Sequence, residues 1–453
     1  MGAINFNEQA IAFADAAEKA NFLSGLQQTG LAQFKTLPFP TRKTEDWKYT
    51  SLFALTKQDY NQAVQSADVA GLNGLYDVEG LGANRIVFVN GVYQAQASNL
   101  DAQAGVLVET FLNASADLQA DIAKQVGTIA ETGRNLFTAL NNAQVNDGVF
   151  IKLEKNVQLE KPIQIVHVTT AQQKSATAFA RCFIELGQHA NATVIEQFVS
   201  TDETQNVLLN QTTEASVGDG AKLNHYRLNS EHESSLHFGG VYVDLNRDSQ
   251  FESYQVLLGG QIKRLDVLVN HNVGGSHCEM KGVYLPKHDQ HVDIHTYIEH
   301  KAAHCTTNEV YRGIMADQSK AVFNGRIHIL PDAQKTLAEL SNKNLLLSDK
   351  AQINTKPELE IYADDVRCAH GATVAQLNET AKFYLRSRGI SAQEADIMLS
   401  FGFINELLES IPLDALRTKM RPLMAEQFSS NRELTKHLLD SDVSEVAASG
   451  ETA

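Results

Sequence analysis

The chain of 453 residues has only four cysteines, and their spacing argues against two kinds of metal site. Cys182, Cys278, Cys305 and Cys368 form no C-x-x-C pair, so neither a zinc ribbon nor a self-contained four-thiolate cluster site is indicated. We expect free thiols in a reducing compartment. For any one of them the ordinary role is that of a small buried hydrophobic residue.

Positive charge and long apolar runs are also scarce. The chain carries 38 Lys and Arg against 54 Asp and Glu, which gives a net charge of −16. This balance argues against nucleic acid and anionic membranes as partners, because both require local positive charge. No apolar run approaches about eighteen residues, and no N-terminal apolar segment precedes a cleavage site. These absences predict a cytoplasmic protein.

The motifs of common enzyme classes are missing as well. The sequence has no H-E-x-x-H, no G-x-S-x-G and no Walker A motif. Its glycine pairs, such as Gly239–Gly240 and Gly274–Gly275, are typical of turns rather than of phosphate-binding loops. We therefore predict that the chain is not an enzyme on its own.

The sequence does contain a turn-like cluster that recurs about every fifteen residues, which is typical of stacked repeats. The intervening segments alternate like strands: Val292, Ile294 and Ile298 share one face of 291–298, and polar side chains share the other. Two strands of about ten residues for each circuit predict a flattened coil of about thirty residues per turn, a parallel β-helix. An antiparallel sandwich is the alternative, although its strands usually recur every eight to twelve residues. The clusters start at Pro286, Lys301, Ala316, Pro331, Ser348 and Ala363.

The pattern divides the chain into four regions. A helical N-terminal domain is predicted for 1–80, and a β-helix core for 81–375, with a helical or irregular connecting region at about 101–147. A capping box at Ser391–Glu394 opens the amphipathic helices of a C-terminal domain, 376–439. The acidic segment 440–453 has no aromatic residue, and we expect it to be disordered.

Two residues near the last turn cluster could carry chemistry. On a strand, Cys368 and His370 project from one face about 7 Å apart at Cα, and they offer half a ligand set for zinc or an iron–sulfur species. The alternative is an ordinary surface Cys and His in a turn. Eight other histidines are interpreted as a polar, solvated face of the coil; they are His271, His277, His288, His291, His295, His300, His304 and His328.

Four segments give the chain a recognisable family resemblance. The runs RCAHGATV (367–374) and FYLRSRGIS (383–391) resemble the C-terminal hallmark of the SufB/SufD family of iron–sulfur cluster assembly proteins. PTRKTEDWKYT (40–50) and the stretch 325–348 also resemble sequence segments of that family. The resemblance is to the SufD branch, because SufB proteins have a glutamate where this chain has Gly371 and carry a longer, cysteine-bearing N-terminal part.

The resemblance implies a right-handed parallel β-helix core flanked by N-terminal and C-terminal α-helical domains. It implies a non-catalytic scaffold subunit that pairs with a SufB paralogue and with SufC, an ABC-type ATPase, and delivers nascent clusters to apoproteins. His370 would face a SufB cysteine, with Cys368 as an accessory ligand to a transient iron–sulfur cluster shared with the partner. Met398, Phe403, Leu407 and Leu408 lie where the family docks the ATPase.

Other readings stay open from the sequence. An uncovered terminal turn makes a homodimer of the isolated chain plausible. A β-helix enzyme acting on polysaccharides is an alternative from another class, although such enzymes are commonly secreted. A structural protein without any site is a third possibility.

Overall fold

The computed structural model describes residues 6–12, 21–58, 60–62, 71–130, 135–170, 175–201, 207–429 and 431–439. The chain is mainly β, with helices toward both termini, as the sequence predicted. The segment 440–453, for which disorder was expected, lies outside the described residues.

The helices occur before the long β region, within its beginning and after it. They are α1 (6–12), α2 (Ser24–Thr36), α3 (Asn73–Tyr76), α4 (Ala116–Gln125), α5 (Leu136–Gln144), α6 (Glu379–Ser387), α7 (Ala392–Glu409), α8 (Asp414–Phe428) and α9 (Arg432–Leu439). No described helix is both long and apolar enough to cross a lipid bilayer.

The strands follow each other closely from residue 149 onward. They are β1 (Asn61–Gln62), β2 (Asn84–Val89), β3 (Val92–Tyr93), β4 (Val106–Thr110), β5 (Val149–Leu153), β6 (Ile163–Thr169), β7 (Ala176–Leu186), β8 (Asn191–Ser200), β9 (Val207–Val217), β10 (Lys222–Asn229), β11 (Leu236–Leu245), β12 (Gln250–Leu257), β13 (Ile262–His271), β14 (His277–Tyr284), β15 (His291–His300), β16 (Thr306–Met315), β17 (Lys320–Ile329), β18 (Leu337–Leu346), β19 (Gln352–Ile361) and β20 (Arg367–Ala375).

From β5 onward, consecutive strands alternate between two sheets, and each pairs in parallel with the strand two places along. One sheet runs β19-β17-β15-β13-β11-β9-β7-β5-β4 and the other β20-β18-β16-β14-β12-β10-β8-β6-β2-β3. Residue 262 pairs with 291 and residue 291 with 320, so one turn of this part takes 29 residues. The result is a parallel β-helix of about seven turns, which confirms the predicted coil and rules out the sandwich.

The interior of the coil, its lumen, is filled by every second side chain of each strand. In the lumen, the rings of Tyr284 and Tyr311 each extend over a glycine on the adjacent strand. A Cβ on Gly282 would lie 2.2 Å from a ring carbon of Tyr311, its partner on β16, and a Cβ on Gly313 would lie 2.1 Å from the ring of Tyr284. Each ring therefore requires a glycine on the adjacent strand.

The connecting region 101–147 is more ordered than the sequence suggested. Besides α4 and α5 it contains β4, which pairs antiparallel with β5 and lengthens one sheet. A fully buried ion pair between two strands of the coil anchors this region: Arg181 Nη2 of β7 lies 2.5 Å from Glu214 Oε2 of β9. The Glu214 carboxylate also accepts from the amides of Gly127, Ile129 and Ala130 at 2.7–2.9 Å.

The two ends of the coil differ. At the N-terminal end, the antiparallel strands β3 and β4 close the two sheets. At the C-terminal end, β19 and β20 each have a strand partner on one side only, within the part of the chain that the structure describes. We call these two strands the open rung.

Candidate functional site

Cys368 and His370 lie on the open rung, in β20. Their partners in register on β18 are Ala338 and Leu340, which are buried in the core that fills the lumen. Paired residues of parallel strands point the same way, so Cys368 and His370 both point toward the lumen from its last turn. Cys368 is half-buried against that core and His370 is exposed, because no further turn in the described part of the chain covers it.

This placement answers one question left open by the sequence. The two residues share a strand face, as predicted, and neither lies in a turn. Burial raises the pKa of the Cys368 thiol, against the opposing effect of a backbone hydrogen bond from Ala338. The thiol is therefore protonated at neutral pH, and a metal must displace its proton to bind.

The floor beneath the open rung is apolar under Cys368 and His370, and it becomes polar farther along the same strand face. Thr355 of β19 donates its hydroxyl proton to Asn342 Oδ1 at 2.8 Å, and the Asn342 amide nitrogen donates to the Tyr284 hydroxyl at 2.9 Å. The Tyr284 hydroxyl in turn donates to Asn344 Oδ1 at 2.5 Å. Sequence reasoning missed these groups, although Asn342 and Asn344 lie on the same strand face as the core residues Ala338 and Leu340 and could have been assigned to the lumen on that basis.

The ligand set at the open rung is incomplete. Among the described residues, the only group of three or more His, Cys, Asp or Glu that converges on one point lies elsewhere in the coil. Cys368 and His370 therefore offer at most two metal ligands without a second molecule. Exposed apolar side chains accompany them at this end: Leu337, Leu347, Ile361, Tyr362 and Val374.

The C-terminal helices pack on the outside of the coil. Ser391 caps α7, its hydroxyl accepting from the amide of Glu394 at 3.2 Å, as the capping box predicted. The predicted partner-binding residues Leu407 and Leu408 are only 4% and 0% exposed, in one cluster with Val256 and Ile314 of the coil. Both are buried among residues of the chain itself, from the coil and from the C-terminal helices, which argues against their use as surface anchors.

The other two predicted docking residues remain accessible in part. Met398 and Phe403 are half-buried. The Arg312 guanidinium lies 5.6 Å from the Phe403 ring centroid and donates to the Phe403 carbonyl at 2.5 Å, so Phe403 also fixes α7 to β16. Nothing in the structure tests whether a partner binds Met398 or Phe403, and both stay predictions.

Sequence reasoning missed two larger exposed side chains on α6. Phe383 is 72% exposed and Tyr384 is 54% exposed. Two adjacent aromatic residues in a short helix whose other residues are mostly polar were the available signal. The ion pair between Lys382 and Asp396, 2.8 Å, ties this helix to α7.

The interpretation of the histidines as a solvated face is wrong in part. His271 and His300 are fully buried in the lumen, stacked on each other. Asp293, on the predicted polar face of β15, is also buried, because the segment 45–50 covers it. It contacts Thr50 Oγ1 at 2.5 Å, Arg264 Nη1 at 2.8 Å and His295 Nε2 at 2.9 Å.

Comparison with known proteins agrees with this geometry. The family model described as the SufBD core domain of SUF-system FeS cluster assembly matches residues 167–403, and the SufBD N-terminal region matches 6–165. The iron–sulfur cluster assembly protein SufD of Escherichia coli is 32% identical over 400 residues, 87% of this chain and 90% of that protein. A SufBD family protein of Synechocystis is 30% identical over 395 residues, covering 85% and 87%.

A more distant relative, SufD of Bacillus subtilis, is 25% identical over 418 residues, 90% of this chain and 94% of its own length. None of these relatives supports a polysaccharide-active enzyme. The coil, the open rung and these matches along nearly the whole chain lead to one assignment. This chain belongs to the SufBD family of iron–sulfur cluster assembly proteins.

Proposed function

We propose that this chain is a non-catalytic, cytoplasmic scaffold subunit that pairs end to end with a SufB paralogue and binds the ABC-type ATPase SufC. The observation that carries the proposal is the position of Cys368 and His370 on the lumen face of an uncovered last turn. An iron–sulfur cluster would be cargo held transiently between the two subunits and then delivered to apoproteins.

The open rung suits a second coil end as its partner. The outer edges of β19 and β20 present backbone N–H and C=O groups that a partner strand can pair with. The exposed apolar side chains at this end would be covered by the same contact. A thiolate supplied from the partner would complete the ligand set begun by His370 and Cys368.

The imidazole of His370 is the better candidate of the two for a direct ligand. It is exposed, whereas the neighbouring thiol keeps its proton at neutral pH. A neutral imidazole can ligate iron or hold a thiolate by a hydrogen bond, and protonation abolishes ligation. The polar groups of Asn342 and Thr355, farther along the same floor, would orient water or sulfide beside the cluster.

The ATPase is expected to bind the C-terminal helices. Phe383 and Tyr384 of α6 form an exposed surface that we call the aromatic patch. Arg312 of the coil pairs with Glu406 of α7, so a pull on these helices during ATP hydrolysis would reach β16 directly. That movement would open or close the subunit junction.

Cluster accumulation tests the site. The chain is co-expressed with SufB and SufC partners and purified without oxygen, and bound cluster is measured by absorption spectroscopy and iron content. His370→Ala should lower cluster per complex at least several-fold while the complex still forms. His277→Ala, half-exposed on the outer face of β14, is the matched control. Undiminished cluster in a folded His370→Ala complex would refute the site.

Co-purification tests the docking surface. The double variant Phe383→Ser/Tyr384→Ser should lose the tagged ATPase, while the coil keeps its circular dichroism spectrum. The control is Phe53→Ser, which removes an aromatic side chain that is 63% exposed but lies far from α6 in the sequence. This variant should retain the ATPase. Equal recovery of the ATPase with both variants would show that the aromatic patch is not the docking surface.

A further inference from the structure

A second group of potential metal ligands lies inside the coil, away from the open rung. His271 ends β13, and His300 ends β15, the next strand of the same sheet, in register with it. Cys305 lies immediately before β16. One ligand atom from each of the three residues lies within 4.8 Å of the others, and all three side chains are fully buried.

The hydrogen bonds define the states of the two rings. The Thr307 hydroxyl lies 3.0 Å from Nε2 of both His271 and His300. It has one proton, so it donates to one ring and accepts from the other. His271 Nδ1 has a second partner in the Ser276 hydroxyl at 2.7 Å, whereas His300 Nδ1 has none.

This arrangement leaves a free lone pair in the core. If His300 donates from Nε2 to Thr307, its unpartnered Nδ1 carries only a lone pair. The reverse assignment would bury an unpaired N–H, which native structures rarely do. Burial lowers the pKa of His271 and brings that of His300 to about 4, so both rings are neutral at pH 7 and can act as ligands.

We propose that His271, His300 and Cys305 form a buried site for one borderline-soft divalent metal ion, with zinc as the best fit. Two imidazole nitrogens and one thiolate are donors that zinc prefers, and a water molecule would take the fourth position. Binding deprotonates the Cys305 thiol, so each ion bound releases one proton. The ion would link two successive turns of the coil to the corner that precedes β16.

The fit requires a small local movement. Zinc bonds of about 2.1 Å to nitrogen and 2.3 Å to sulfur place ligand atoms about 3.5 Å apart. The two rings are now stacked, with centroids 4.2 Å apart and planes at 12°, and an imidazole lone pair lies in its ring plane. One ring must therefore turn about its Cβ–Cγ bond, and the Ser276 and Thr307 hydroxyls remain beside the ligands as outer hydrogen-bond partners.

Metal content of the full chain tests this site. The chain is produced with Cys368→Ala, which removes the thiol of the open rung, in medium containing cobalt or zinc, because a buried site is filled during folding. After passage over a chelating resin we expect one ion per chain. The cobalt form should show a thiolate-to-cobalt charge-transfer band. A chain that keeps no metal, or cobalt without a thiolate band, would overturn the proposal.

Two substitutions locate the ion. Cys305→Ala should abolish the band and the retained metal, whereas Cys278→Ala, another buried thiol outside the group, should keep both. If Cys305→Ala fails to fold, His300→Gln provides the same test with the thiol intact and should lower metal retention at least tenfold. Retention of a full equivalent by either of these variants would show that the ion binds elsewhere. The outcome is independent of cluster assembly.

Discussion

Removing the carboxylate of Glu214 should detach the connecting region from the coil. In the structure this side chain is buried, pairs with Arg181 and accepts hydrogen bonds from three backbone amides between Gly127 and Ala130. Glu214→Ala leaves a guanidinium buried without its counter-charge. It also leaves three amide protons without acceptors.

The size of the effect follows from the burial. Breaking a buried ion pair by removing one partner costs about 3–5 kcal/mol. Arg181 keeps hydrogen bonds to the side-chain oxygens of Asn141 and Asn142 at 3.0 and 2.7 Å, which limits the loss, whereas the orphaned amides add to it. We expect about 3–5 kcal/mol of local stability to be lost.

Hydrogen exchange measured by mass spectrometry is the assay. Each 1.4 kcal/mol is a factor of ten, so exchange in 116–144 should accelerate roughly a hundred- to a few-thousandfold, while β13–β20 are unchanged. Glu185→Ala on β7, which removes a partly exposed pair with Lys152, should cost at most about 1 kcal/mol. The double variant Arg181→Met/Glu214→Leu should recover part of the protection. Unchanged exchange in Glu214→Ala would refute this account of how the region is held.

Three further predictions concern the lumen and its open end. Burial raises the pKa of Glu309 to about 8, above its unfolded value of about 4.5, so between these pH values the folded chain holds a proton that the unfolded chain has lost. The free energy of unfolding should therefore fall by about 1.4 kcal/mol for each pH unit as the pH rises through this range. Glu309→Gln should flatten this slope in thermal melts. Gly282→Ala should cost about 1–3 kcal/mol in denaturant unfolding because its Cβ overlaps the Tyr311 ring, whereas Gly371→Ala, with open space around it, should cost less than about 0.5 kcal/mol. The Cys368 thiol should alkylate with an apparent pKa above that of an unfolded control peptide, since burial raises it; an equal or lower value would contradict the half-buried position.

The sequence predicted the coil because its turns recur at a nearly constant interval. It also predicted that Cys368 and His370 share a face, since that needs only the two-residue period of a strand. The same two-residue period could have assigned His300 to the lumen, because His300 lies on the same face of β15 as the core residues Val292 and Ile294. The burial of Asp293 could not be predicted in this way, because its cover comes from a segment more than 240 residues earlier in the chain.

The helices show a second limit. An amphipathic pattern predicts that one face of α7 will be covered, but it does not say by what. Leu407 and Leu408 are buried in a cluster shared by the coil and the C-terminal helices, so residues expected to bind a partner are internal. The open rung presents the opposite case, since its exposure follows from the position of β20 at the end of a sheet, which no local pattern records.

The interlocked glycines and tyrosines restrict how this coil could change length in evolution. Duplicating the turn that contains β13 and β14 would pair Gly282 with a second Gly282 and Tyr284 with a second Tyr284. The glycine pair would leave unfilled space, and the tyrosine rings would overlap because neither would face a glycine. Copying the following turn would do the same with Tyr311 and Gly313. Inherited insertions of a whole turn would therefore be tolerated elsewhere along the coil, away from these two tyrosine–glycine pairs.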